Sequence, residues 1–131
     1  MILMKYCPNG TLVDYINQFK VQGKNLPEST ILLIFHQVCL AVSDLHYNDP
    51  PICHRDLKVE NVLVGTPNYQ LCDFGSATTE RIFFDDSVSV KDIIAIQESV
   101  HSTTTMAYRS PEIVDTFRRQ PITEKADIWV I

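Results

Sequence analysis

The sequence predicts an α+β protein, mainly α-helical with one short β-hairpin, and three stretches carry that expectation. Glu28 to His46 places Ile31, Leu32, Leu33, Ile34, Phe35, Val38, Cys39, Leu40, Ala41, Val42 and Leu45 in one helix-length run. Asn61 to Val64 and Tyr69 to Cys72 are two β-prone runs separated by Gly65-Thr66-Pro67-Asn68, a four-residue hairpin loop. Near the hairpin lie the polar run His54 to Asn61 and the triplet Asp73-Phe74-Gly75.

Taken in chain order, Met1 to Met4 is a short apolar run ended by the turn signal Pro8-Asn9-Gly10, and it reads as a strand. Thr11 then precedes Leu12, Val13, Tyr15, Ile16 and Phe19, whose spacing by three and four predicts a short amphipathic helix. The long helix follows, with Pro27 acceptable at its first turn and Glu28 favourable at its positive end. Apolar side chains cover most of its circumference, so it is expected to be buried on all sides. That burial needs more neighbours than the chain obviously provides. The hairpin is expected to carry Asn61 back beside Asp73. Asp73 to Glu112 has little regular signal, apart from a helix expected over Ser89 to Glu98 with Val90, Ile93, Ile94 and Ile96 on its apolar side. Ile113 to Arg118 reads as a short helical turn, and Asp127 to Ile131 as the first turn of an apolar helix.

Composition narrows the function classes. The 131 residues are 45% hydrophobic and 21% charged, which is ordinary globular composition for one domain. A net charge of -5 with no basic cluster argues against a nucleic-acid partner or an anionic membrane surface. Cys7, Cys39, Cys53 and Cys72 are scattered singly, so they read as reduced, mostly buried thiols of a cytosolic or nuclear protein. The longest apolar run, Ile31 to Phe35, is far short of the roughly 20 residues of a membrane span, and the opening Met-Ile-Leu-Met lacks the form of a secretory signal.

The central run carries the chemistry. Asp56, Lys58, Asn61 and, beyond the hairpin, Asp73 form a set that can position a hydroxyl, steady a phosphate and hold magnesium, which points to phosphoryl transfer. Among the other polar groups, His54 reads as a packing and backbone-anchoring residue, not a ligand or base. Cys72 reads as a small hydrophobe, and Phe83, Phe84 and the Ile93 to Ile96 patch as packing for their own segment. Arg118-Arg119 reads as a solvated pair. The Thr103 to Thr105 run suits phosphorylation, with a structural role for Thr105 at least as well supported.

HRDLKVEN (54–61), DFG (73–75) and Ser110-Pro111-Glu112, with Ser in place of the usual Ala, resemble the catalytic loop, magnesium motif and activation-segment end of a eukaryotic protein kinase of the serine/threonine branch. Together with CDFGSAT, TTMAYRSPE and KADIW they resemble the numb-associated kinases, the group of the adaptor-associated, cyclin-G-associated and fungal actin-regulating kinases. The resemblance implies a partial protein-kinase-like domain over residues 1–131, from the hinge to the start of the central large-lobe helix. It implies ATP and Mg2+ as cofactors. Asp56 would orient the substrate hydroxyl, Lys58 would neutralise the transferred phosphoryl group, and Thr105 would shape the site beside them. Asn61 and Asp73 would supply magnesium ligands. Met4 would be the gatekeeper, Lys5 and Cys7 would belong to the hinge facing adenine, Asp14 would reach the ribose and Leu63 would lie under the base. Asp127 would tie down the catalytic loop's backbone.

The resemblance also implies parts that lie outside 1–131. Gly10, Gly23, Gly65 and Gly75 cannot form a G-x-G-x-x-G loop, and there is no place for the small-lobe Lys, its Glu partner or the late large-lobe helices. Two readings therefore stand. In one, the chain is part of a full-length kinase that phosphorylates Ser or Thr on clathrin-adaptor or actin-patch proteins, in the cytoplasm at endocytic sites without membrane insertion. In the other, it is an inactive binding or decoy module. In either case the 131 residues alone are expected to be inactive.

Overall fold

The computed structural model describes residues 6–131. The expected strand at Met1 to Met4, and the hinge positions Met4 and Lys5, lie outside the described residues. The elements are α1 (Leu12–Val21), α2 (Glu28–His46), β1 (Val62–Val64), β2 (Tyr69–Leu71), α3 (Val90–Ser102) and α4 (Pro111–Val114), with 3-10 turns between them. They fall into two compact units: residues up to Ala41 with Lys58–Cys72, and Val42–Leu57 with Asp73–Ile131.

In the first unit, α1 begins where the sequence places it, because Thr11 and Asp14 cap it reciprocally. The Thr11 hydroxyl accepts from the Asp14 N–H at 3.3 Å, and Asp14 accepts from the Thr11 N–H at 2.9 Å. Such a cap contributes about 1 kcal/mol. The hairpin forms in the expected register, with Val62 opposite Leu71, Leu63 opposite Gln70 and Val64 opposite Tyr69. Its loop requires glycine at 65, since a Cβ there would collide with the Asn68 carbonyl oxygen. Gln37 of α2 fixes the start of β2 by accepting from the Tyr69 N–H at 2.8 Å. Leu12, Ile34 and Val62 form the buried centre, joined by Tyr15, Ile16, Val38, Val59, Tyr69 and Leu71. One element thus comes from each of α1, α2 and the hairpin.

The expectation that α2 is buried on all sides is not met. Ile31, Leu32, Leu33, Phe35 and Leu40 are between 47% and 59% exposed, while Ile34 and Val42 are buried. The elements of the first unit reach only the side carrying Ile34 and Val38. By length and composition alone α2 is long and apolar enough to cross a membrane.

In the second unit, α3 starts at the expected place and runs to Ser102, beyond the expected end at Glu98. Ser89 and Asp92 cap its first turn as Thr11 and Asp14 cap α1. Burying Val100 draws the helix onto Ile113, Ile122 and Ala126, with Ile82, Phe84 and Ile96 around them, and Ile93 of the same helix is buried as well. Each fully buried aliphatic side chain contributes about 1.5–3 kcal/mol relative to exposure. Phe84 and Ile93 therefore pack their own segment as expected, whereas Phe83 and Ile94 are exposed. Two ladder pairs tie the segment down. Cys53 and Thr78 exchange backbone hydrogen bonds of 2.8 and 2.9 Å, and Ile82 and Ile122 exchange two of 2.9 Å.

The expected helical turn near Ile113 divides into α4 and a 3-10 turn at Thr116–Arg118. The final turn is 3-10 over Glu124–Trp129 and begins before Asp127, because the Thr123 hydroxyl accepts from the Lys125 N–H. Its large apolar residues Ile128 and Trp129 are exposed.

The exposed apolar side of α2 carries a prediction for the 131-residue polypeptide. Purified alone, it should unfold over a broad temperature range with a calorimetric enthalpy that disagrees with the van't Hoff value. A sharp, reversible transition with matching enthalpies would overturn this.

Candidate active site

The His54 to Leu57 stretch of the second unit is organised by Asp127, which is 1% exposed. Its carboxylate accepts from the His54 N–H at 2.7 Å and the Arg55 N–H at 2.9 Å, and His46 Nε2 at the end of α2 lies 3.0 Å from the same carboxylate. A buried carboxylate is tolerable only when its lone pairs are satisfied in this way. The anchored stretch is strained: Arg55 has φ 66, a left-handed conformation that L residues adopt at a cost of about 1–3 kcal/mol. The Arg55 guanidinium is held in turn, Nε donating to the Ser76 carbonyl at 2.6 Å. His54 is fully buried, with its ring 5.0 Å from that of Phe74, which agrees with a packing role. Burial, followed by the charge of Asp127, pushes the neighbouring Cys53 thiol far up, so it is an inert thiol.

Asp56 follows this anchored pair, and the Thr105 hydroxyl donates to Asp56 Oδ1 at 2.5 Å. Two polar residues far apart in sequence are thereby joined. Asp73 lies in the same unit, also left-handed at φ 61, and its carboxylate accepts from the Gly75 N–H at 3.3 Å. The side chain thus caps the following 3-10 turn, Phe74–Ser76.

The remaining expected site residues lie in the first unit. Lys58 precedes the Val59–Asn61 turn, and Asn61 is buried there. The Cys72 N–H donates to the Asn61 carbonyl at 2.9 Å, extending the hairpin ladder to the residue before Asp73. Cys72 itself is half-buried, as are Cys7 and Cys39, so the expectation of mostly buried thiols is met only at Cys53. Leu63 is half-buried in β1 and bridges Thr11. Cys7 Sγ donates to Gln70 Oε1 at 3.7 Å. Asp14 is committed to capping α1, and its hydrogen bonds to Thr11 hold its carboxyl below the usual range. It lines an open depression of about 480 Å3 with Asn17, Gln18, Val21 and Gln22.

Several organising residues were not singled out from the sequence. The Arg109 guanidinium donates to the His101 carbonyl at 2.8 Å, the Thr104 carbonyl at 3.1 Å and the Thr104 hydroxyl at 3.0 Å, fixing the approach to Thr105. Arg119, read as half of a solvated pair, has φ 54 and donates to the Asp85 and Val88 carbonyls at 3.0 and 3.1 Å. No local pattern marks either role, since each partner is set by the tertiary fold. His46 had a usable signal, because a His in the last turn of a helix suits the negative end of the dipole.

A helical unit that pins an H-R-D run to a buried Asp, with a Thr hydroxyl on the Asp of that run, has a protein-kinase type of architecture. The protein kinase domain family matches residues 1–131, and the chain belongs to that family. It is 45% identical over 131 residues to serine/threonine-protein kinase ppk30 of Schizosaccharomyces pombe, covering 99% of this chain and 13% of that one. It is 42% identical to serine/threonine-protein kinase AKL1 of Saccharomyces cerevisiae, over 100% of this chain and 12% of that one. To actin-regulating kinase 1 of the same yeast it is also 42% identical, over 99% and 20%. The chain thus spans a fifth or less of each of these relatives. The numb-associated group that its motifs resemble includes the fungal actin-regulating kinases.

Two outcomes follow in the intact kinase domain. Asp127→Asn should lose about 3 kcal/mol of stability, because an amide nitrogen is turned toward buried donors; a denaturant midpoint equal to wild type would overturn this. The Arg81–Glu124 pair, 2.9 Å apart, should show in acid. Burial alone would raise the Glu124 pKa, but its backbone hydrogen bond and Arg81 hold it below the ordinary 4.5. The pair's contribution is therefore complete above about pH 4.5 and lost as pH falls through the lower folded value, an effect below about 1 kcal/mol for so exposed a pair. Glu124→Gln should flatten the acid limb of stability against pH, and an unchanged limb would count against it.

Proposed function

We propose that the protein carrying this chain is an ATP-dependent protein serine/threonine kinase, with residues 1–131 the central part of its kinase domain, from the hinge to the start of the central large-lobe helix. The observation that carries this reading is the Thr105–Asp56 hydrogen bond of 2.5 Å on an Asp127-anchored loop. Asp56 accepts or orients the proton of a substrate Ser or Thr hydroxyl, whose oxygen bonds to the γ-phosphorus of ATP. The bond from that phosphorus to the β–γ bridging oxygen breaks, and ADP leaves with that oxygen. Lys58 supports the charge on the transferred group. Thr105 holds Asp56 in its rotamer and borders the substrate hydroxyl.

The donor chemistry fits magnesium. Asn61 offers an amide oxygen and Asp73 a carboxylate, both hard ligands, and such an ion takes further ligands from water and phosphate. Among the described residues no group of three or more His, Cys, Asp or Glu gathers as a protein-only cage. When bound, the ion neutralises charge on the phosphates. The hinge segment with Met4, Lys5 and Cys7 would face adenine, with Asp14 toward the ribose and Leu63 beneath the base.

On this reading the protein's substrates are actin-patch or clathrin-adaptor proteins, in a cytoplasmic setting peripheral to endocytic membranes; similarity to a kinase named as actin-regulating supports the actin part of it. Residues 1–131 alone are inactive on this reading, because much of the phosphate-positioning apparatus lies elsewhere.

The test is phosphate transfer from labelled ATP to an adaptor or actin-patch protein by the full-length protein. Asp56→Asn should lower transfer by roughly 10²–10⁴-fold with the fold intact. No transfer by the wild type, or equal transfer by the variant, would overturn the reading in favour of a non-catalytic binding module.

A further inference from the structure

Ser110 stands where the kinase motif ordinarily has Ala, and it is 1% exposed. It occupies the N-cap position of α4, where a hydroxyl ordinarily accepts from a backbone N–H of the first turn. It does not do so here. Among the described residues its Oγ is a buried side-chain oxygen without a hydrogen-bond partner. Buried hydroxyls are almost always bonded, to protein or to ordered water, so this one calls for a partner.

A second, independent feature lies at the same place. Ser110 lines a cavity of about 10 Å3 together with Arg55, Thr105, Arg109 and Asp127. One water requires a space of about 10–15 Å3 and two to four polar neighbours. The lining supplies both kinds of partner: hydroxyls and a guanidinium can donate, while hydroxyls and a carboxylate can accept. It also includes the residue that holds Asp56 and the one that anchors the loop bearing it.

We propose that this cavity is a single-water site, and that Ser110 acts through the bound water as a positioning residue for Thr105. The Ser110 hydroxyl bonds the water, the water bonds the Thr105 or Asp127 oxygen, and the Thr105 hydroxyl is kept turned toward Asp56. The site itself rests on burial and cavity chemistry. Its effect on turnover rests on the kinase reading above.

The experiment is a crystal structure of the kinase domain of the full-length protein at water-resolving resolution, for wild type and Ser110→Ala, with steady-state kinetics of both. Wild type should show one ordered water within hydrogen-bond distance of Ser110 Oγ and of Thr105, Asp127 or Arg55. Ser110→Ala should lack it and show a lengthened Thr105–Asp56 contact. Its kcat should fall by about threefold to tenfold, the equivalent of one hydrogen bond, with KM for ATP little changed. A dry cavity with the Ser110 hydroxyl capping α4 would overturn the proposal. So would a Ser110→Ala variant with both the Thr105–Asp56 contact and kcat of wild type. An ordered water and a displaced Thr105 in a protein without kinase activity would uphold the site and sink the kinase reading alone.

Discussion

The buried carboxylate of Asp127 is the constraint on which the second unit depends. It accepts backbone N–H groups from two consecutive residues, His54 and Arg55, and is met by the ring of His46. Consecutive amides can point at one carboxylate only if the chain turns sharply, and Arg55 supplies the turn by adopting a left-handed conformation. A local cost is thus borne by a charge-assisted network that could not be solvated any other way. Asp56 is aimed as a by-product of that turn. Asp127 itself comes from the far end of the chain, so the loop acquires its geometry only when the unit is folded.

The segment between Asp73 and Glu112 gains its order by a different route. Its helix α3 is a capped, amphipathic element whose Ile93 and Val100 are buried, and its flanks are stitched by backbone pairs at Thr78 and Ile82. Arg119 and Arg109 then clamp the chain on either side of α3 through carbonyl oxygens. Dispersion and apolar burial do most of the holding, and the arginines fix where the chain turns.

What was legible in the sequence is what is decided locally. Thr11 with Asp14, and the Gly65 to Asn68 loop, set α1 and the hairpin through contacts a few residues apart, and both appear where expected. The start of α3 also appears where expected, and the contacts that set it, between Ser89 and Asp92, are local too. Its end was not legible, because Val100 is drawn into the helix by Ile113, Ile122 and Ala126 across the fold. The burial of α2 was overestimated because periodicity reports how much of a helix is apolar and not how many neighbours reach it. The candidate site residues were proposed from motifs, and the place of His46 at a helix end was a usable sign, but the roles of Arg109, Arg119 and Ser110 were not legible. Those roles consist of pairings with carbonyls or a cavity, and none has a residue-type signature.

The Ile82–Ile122 pair can also be viewed as the neck of a closed loop. Two hydrogen bonds join residues about forty positions apart, and everything from Phe83 to Pro121 hangs from that neck. Closure entropy grows only logarithmically, by about 0.6 kcal/mol for each doubling of loop length. Once the neck is made, a few residues added at the exposed Asp85 to Ser87 turn would raise the cost of closure by very little. Loop closure by itself therefore places little limit on length at that turn; the limit comes from Arg119, which holds the Asp85 and Val88 carbonyls. The residues at the neck are held as well, since each is paired through its backbone and backed by the Ile122 core.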